Sequence, residues 1–65
     1  MLKAIKMIIG RKCVERKFPL IATAYEVFAA TGLTREQQSV EASRLAAAGT
    51  ITIGDTFNDV YYSLP

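Results

Sequence analysis

A chain of 65 residues has room for one small domain with a thin stability margin, and 51% hydrophobic against 22% charged residues lets it bury a core. One cysteine and no histidine exclude an internal disulfide, a structural zinc site and a histidine-based catalytic centre. The net charge of +2 hides a polarity, because residues 1–17 hold six cations and one acid, whereas residues 18–65 hold two cations and five acids. The first part attracts polyanions and the rest does not.

Residues 2 to about 16 read as a helix. Leu2, Ile5, Ile9 and Cys13 recur at spacings of three and four, with Ala4, Ile8 and Met7 widening the apolar side. A strand over Ala4–Ile9 competes, but the lysines do not alternate as a strand requires. Gly10 costs about 1 kcal/mol relative to alanine there, so a kink or a close packing contact is expected. Cys13 is expected to be a small buried hydrophobe. Pro19 biases Phe18 away from helical angles, so the helix should end near Lys17. Phe18-Pro19-Leu20-Ile21 then reads as extended, at best a short edge strand.

From Thr23 to Leu45 the sequence carries two helices joined by a tight turn. Thr23 and Glu26 stand as T-x-x-E, and Thr34 and Gln37 repeat the device as T-x-x-Q. In each pair a hydroxyl caps the helix start while the longer side chain reaches back. Gly32 between them supplies the left-handed residue that ends a helix. On the first of these helices Ala24, Val27, Phe28 and Thr31 are spaced to face a core, with Tyr25 and Glu26 outward. The second spans about Arg35 to Ala48 and stops at Gly49. With Leu45 buried, steps of about 100° put Ala42 and Gln38 on the same inner side, where a buried amide needs partners. Gln38 is therefore expected at the rim. Glu36, Val40, Ser43 and Ala47 form the opposite face.

After Gly49 the apolar period changes to two. Ile51 and Ile53 point one way and Thr50 and Thr52 the other, followed by the turn-rich Gly54-Asp55-Thr56-Phe57-Asn58-Asp59. Val60, Tyr62 and Leu64 resume an inward face, with Tyr61 and Ser63 outward, which makes a β-hairpin. Asp55 and Asp59 lack the twelve-residue calcium pattern and read as turn formers. The expected fold is mainly α with a small β-hairpin, an α+β single domain over residues 1–65. No apolar run reaches the length of a membrane span, and the start has no signal-peptide pattern. No membrane partner, a cytoplasmic location, no cofactor and no enzymatic activity are expected.

This order of elements resembles the winged helix-turn-helix family over nearly the whole chain. Gly32-Leu33-Thr34-Arg35 leads to Arg44-Leu45 and then Gly49-Thr50-Ile51, similar to the family's turn, third helix and wing, and Tyr61-Tyr62-Ser63-Leu64 is similar to its last wing strand. The resemblance implies a transcriptional regulator that places its third helix in the major groove of double-stranded DNA. Thr34, Arg35, Glu36, Gln37, Ser39, Val40, Ser43 and Arg44 would then lie on the groove side. Arg35 or Arg44 suits guanine, Gln37 suits adenine, Val40 suits a thymine methyl, and Thr34 suits a phosphate at the helix start. Lys3, Lys6, Arg11 and Lys12 would supply phosphate contacts. A module of this size binds DNA weakly alone, which points to a homodimer or a larger protein partner. The alternative is a winged-helix protein–protein interaction module with no direct DNA binding. Glu36 and Glu41 offset Arg35 and Arg44, and Asp55 and Asp59 make the hairpin tip acidic. On that reading a partner buries Val40 and Ala47, with Phe57 and Tyr61 as anchors.

Overall fold

A computed structural model describes all residues from Met1 to Pro65. Helix α1 spans Leu2–Glu15, strand β1 Ala22–Thr23, helix α2 Ala24–Thr31, helix α3 Arg35–Ala47, strand β2 Thr52–Asp55 and strand β3 Val60–Ser63. The strands form one antiparallel sheet in the order β1-β3-β2. The hairpin pairs Ile53 with Tyr62 and Gly54 with Tyr61, and β3 continues across to pair Tyr62 with Ala22. The fold is α+β, three helices with a three-stranded antiparallel sheet.

Local chemistry sets the helix ends. Thr23 caps α2 and Thr34 caps α3, and both form the full reciprocal box with Glu26 and Gln37. Gly32 ends α2 in the left-handed conformation (φ 76°), as the sequence suggests. Past α1 it is Arg16 that turns left-handed (φ 56°), while Lys17 N–H donates to the Lys12 carbonyl at 2.8 Å. The helix therefore stops before Pro19 acts on it. The extended segment expected over Phe18–Ile21 lies a little later. Ile21 N–H closes a turn onto the Pro19 carbonyl at 3.0 Å, and pairing with β3 begins at Ala22.

The core is small: Ile5, Ile9, Ala22, Ala24, Val27, Ala42, Ile51 and Tyr62. Several expectations about faces change. Cys13 is exposed, because the inward face of α1 passes from Ile9 to Lys12, three residues on. Gly10 neither breaks α1 nor packs closely, since a Cβ there would meet nothing within 4 Å. Phe28 is half exposed and Thr31 is exposed, because Val27 fills the inner position of α2. Thr31 serves the turn instead, its hydroxyl donating to the Val27 carbonyl and accepting from Leu33 N–H. Leu45 is partly buried. Ile53 shares a face with Tyr62 but remains 44% exposed, because β2 is the outer strand and overhangs the core. Leu64 lies beyond β3 and is exposed.

The largest correction concerns Gln38. It is 1% exposed, not at the rim. Its Nε2 donates to the Ala24 carbonyl at 3.1 Å and to the Leu33 carbonyl at 3.0 Å, and its Oε1 accepts from the Tyr62 hydroxyl at 2.9 Å. One amide thus ties α3 to α2, to the turn between them and to β3. Burial pushes the Tyr62 hydroxyl up from its ordinary pKa, with the charge of Asp59 adding to the effect, so it stays a donor. Burying such an amide costs little only when its bonds are complete, and no buried side-chain polar atom here lacks a partner.

A second tie joins α1 to α2. Lys12 Nζ donates to Glu26 Oε1 and to the Ile21 carbonyl, both at 2.7 Å, from a side chain only 21% exposed. Glu26, read as outward, is therefore half-buried. Burial pushes its carboxyl up, but bonds from Lys12 and Thr23 more than reverse this and hold it below the usual 4.5. A folded-state value below the unfolded one gives stability that is complete above 4.5 and lost as pH falls through the folded-state value.

Two predictions follow from these ties. Gln38→Leu should remove a donor from the Ala24 and Leu33 carbonyls and the acceptor of the Tyr62 hydroxyl, and lower stability by about 2–3 kcal/mol in urea denaturation. Tyr62→Phe orphans only one amide oxygen and should cost about 1 kcal/mol. Stabilities equal to wild type would contradict the role given to this amide. Glu26→Gln should cost about 1 kcal/mol at neutral pH, and the gap should close in acid, as pH falls below 4.5 and through the lowered folded-state value. A gap that persists unchanged in acid would contradict it.

Candidate functional site

With its inner side occupied by Gln38 and Ala42, α3 presents Glu36, Ser39, Val40, Ser43 and Ala47 to solvent. Val40 is 72% exposed, an aliphatic side chain at the centre of an otherwise polar face. The helix starts in the open: Thr34, Arg35, Glu36 and Gln37 are all exposed. Thr34 and Gln37 are partly committed to the cap, since Thr34 N–H donates to Gln37 Oε1 at 2.9 Å and Gln37 N–H to Thr34 Oγ1 at 3.3 Å. The amide NH2 of Gln37 stays open, whereas two-point pairing with adenine would require breaking half of the box.

Arg35 has a partner that local sequence does not reveal. Its Nη2 donates to Asp59 Oδ1 at 2.7 Å, joining the start of α3 to the base of the hairpin. Asp59 also accepts from Tyr25 N–H at 3.1 Å and Val60 N–H at 2.8 Å. Tyr25 N–H lies in the first turn of α2, so this carboxylate caps a second helix donor beside the one served by Thr23. Burial pushes the Asp59 carboxyl up, and the backbone bonds from Val60 and Tyr25, then the charge of Arg35, bring it below its ordinary value. The two ends of this pair differ. Arg35 is 68% exposed and Asp59 14%, so the carboxylate is fixed by the fold, and if the guanidinium leaves, it keeps the bonds from Tyr25 and Val60 N–H. Arg44 pairs with Glu41 within α3, the guanidinium exposed and the carboxylate partly covered.

A recess of about 280 Å³ lies between α3 and the hairpin, floored by Ala42, Val60 and Tyr62 and edged by Arg35, Ser39 and Asp55. Tyr61 lies across Gly54 on the hairpin, where an added Cβ would collide with its ring. The region from Thr34 to Asp59 carries two cations and four acids, so it is net −2.

The cations of α1 are placed elsewhere. Helix α1 packs on α2 and the sheet, and α3 packs on α2 and β2. Lys3 and Arg11 line a recess with Ala30 and Thr31 of α2, and Lys3 and Lys6 line a shallower one with Leu2 and Met7. None of the recesses lined by α1 contains an α3 residue. Lys3, Lys6, Arg11 and Arg16 have no ion-pair partner, whereas Lys12 is drawn inward by Glu26. The structure thus groups Thr34, Arg35, Gln37, Ser39, Val40, Ser43 and Arg44 on α3, and sets Lys3, Lys6 and Arg11 apart from them. The contributions of Gln38 and Asp59 were not marked by local spacing, since their partners lie up to 24 and 34 residues away. No group of three or more metal-ligating side chains is present, and no helix is long and apolar enough to cross a membrane.

No protein-family model, curated protein or solved structure matches the chain.

The asymmetry of the Arg35–Asp59 pair is testable by thermal or urea unfolding. Asp59→Ala should cost about 1–2 kcal/mol, because it removes a helix cap and a hairpin tie together. Arg35→Ala should stay within about 0.5 kcal/mol of wild type. The reverse ranking would show that the guanidinium, not the carboxylate, holds these elements.

Proposed function

We propose that the chain is a winged helix-turn-helix domain that binds double-stranded DNA, with α3 as the reading helix, and acts in transcription regulation. The observation that carries this reading is the division of α3 into two sides. One side is fastened from within through Gln38 and Ala42, and the other is bare from Glu36 to Ala47. The element order and the β1-β3-β2 sheet support the same reading, because they set a hairpin beside a helix that follows a tight turn. Arg35 is the residue best suited to a base edge or phosphate, held near the helix start by a surface pair that DNA can replace at small cost. Val40 offers a contact for a thymine methyl, with Ser39 and Ser43 as hydrogen-bonding neighbours. General attraction to phosphate comes from Lys3, Lys6, Arg11 and Arg16.

A second reading, a protein-interaction module, is favoured by the ion pairs themselves. Both arginines of α3 are met by carboxylates, and α3 with its hairpin is net negative. On that reading Val40 and Ala47 are the buried centre of a contact.

Fluorescence anisotropy with a labelled mixed-sequence duplex separates the two. The DNA reading predicts binding at low ionic strength that weakens with salt by about 0.9 logarithmic units per phosphate neutralised and per tenfold change in salt. Arg35→Ala and Val40→Asp should each weaken it about tenfold without unfolding the protein. An absence of binding at low ionic strength would overturn the DNA reading. Pull-down of a protein partner that Val40→Asp abolishes would then establish the alternative.

A further inference from the structure

Phe57 is 100% exposed, more than any other large apolar side chain in the molecule. It is not on a loose loop. Thr56 N–H donates to the Asp59 carbonyl at 2.7 Å, Asp59 N–H donates to Thr56 Oγ1 at 2.9 Å, and Thr56 Oγ1–H returns to the Asp59 carbonyl at 2.8 Å. These bonds close residues 56–59 into a small knot with Phe57 near its apex and Asp55 and Asp59 at its base. The backbone beneath this aromatic side chain is thus ordered before docking, so only its side-chain torsions remain to be fixed.

The same molecule has a recess with matching chemistry. Between α1 and α2 lies a cavity of about 300 Å³, with an apolar floor of Ala4, Met7, Ile8 and Ala30, rimmed by Lys3 and Arg11 and containing no acid. Lys3 and Arg11 have no ion-pair partner within the chain.

We propose that the hairpin tip of one copy seats Phe57 in the α1–α2 recess of a second copy, with the exposed Asp55 set against Lys3 and Arg11. Charge selects this occupant. A symmetric contact of α1 with α1 would oppose two faces of Lys3, Lys6 and Arg11, and a symmetric contact of tip with tip would oppose two unpaired Asp55 carboxylates. Tip against recess pairs unlike charge while burying the fully exposed Phe57. The contact is head-to-tail, so a dimer keeps one free tip on one copy and one free recess on the other, and association continues beyond the dimer. One aromatic anchor with a few charges buries well under the roughly 1,200–2,000 Å² of a stable interface, so the association is transient and salt-sensitive. It uses no residue on the outer face of α3, but Lys3 and Arg11 also serve phosphate in the DNA reading, so nucleic acid and the hairpin tip compete for them.

Sedimentation equilibrium of the full chain, freed of nucleic acid, tests this. At low salt the average mass of the wild type should rise above the monomer with concentration and fall back at high salt. Phe57→Ala and the double variant Lys3→Glu/Arg11→Glu, all at exposed positions, should each associate at least about tenfold more weakly. Mixed together, they should form dimers and nothing larger, because the first keeps an intact recess and the second an intact tip. A wild type that stays monomeric at low salt, a Phe57→Ala variant that associates like wild type, or a mixture that stays monomeric would each overturn the proposal.

Discussion

The structure depends on one buried amide. A domain of this length has a total stability of only roughly 3–10 kcal/mol, and the fully covered apolar side chains are few and mostly small. Hydrophobic contact is non-directional, so such a core leaves the angle between α2, α3 and the sheet weakly defined. Gln38 supplies direction. Its two donors reach carbonyls on either side of the turn, and its acceptor takes the hydroxyl of Tyr62 on the central strand. Each bond left unmade there costs the desolvation of a buried polar group, so the arrangement is most stable when all three bonds form together. That cooperativity gives the small core one preferred packing.

From this node the surface follows. With Gln38 and Ala42 inside, helical geometry puts Val40 and Ser43 outside, and the capping box leaves Arg35 at an open helix start. Asp59 makes the second connection between layers, receiving the first turn of α2 and the head of β3 and holding Arg35 against the hairpin. Lys12 with Glu26 makes the third. Three polar ties thus join elements distant in the chain. Each leaves a different amount of its chemistry free: Gln38 none, Lys12 little, and Arg35 nearly all.

Local signals were legible in the sequence and distant ones were not. Both capping boxes, the left-handed Gly32, the end of α3 and the switch to period two after Gly49 depend on neighbours within a few residues, and each appears where its spacing puts it. The exposed face of α3 followed from the same periodicity. What failed has a shared cause. Gln38 was misplaced because its partners at Ala24 and Tyr62 are 14 and 24 residues away. Cys13 was misplaced because an apolar residue and a lysine competed for one inward position, and the lysine won through distant oxygens at Ile21 and Glu26. The pairing of Ala22 with Tyr62 has no local mark, since a two-residue strand has no period to detect.

Amide chemical-shift mapping of the labelled chain against duplex DNA at low ionic strength decides whether the bare side of α3, opposite Gln38 and Ala42, is the binding face proposed. The account predicts the largest shifts at Arg35, Glu36, Ser39, Val40 and Ser43, with the inward Gln38 side-chain amide and the Tyr62 ring retaining their free-state signals. No shift on α3, or a response that leaves its outer face silent while the Gln38–Tyr62 pair comes apart, would contradict it.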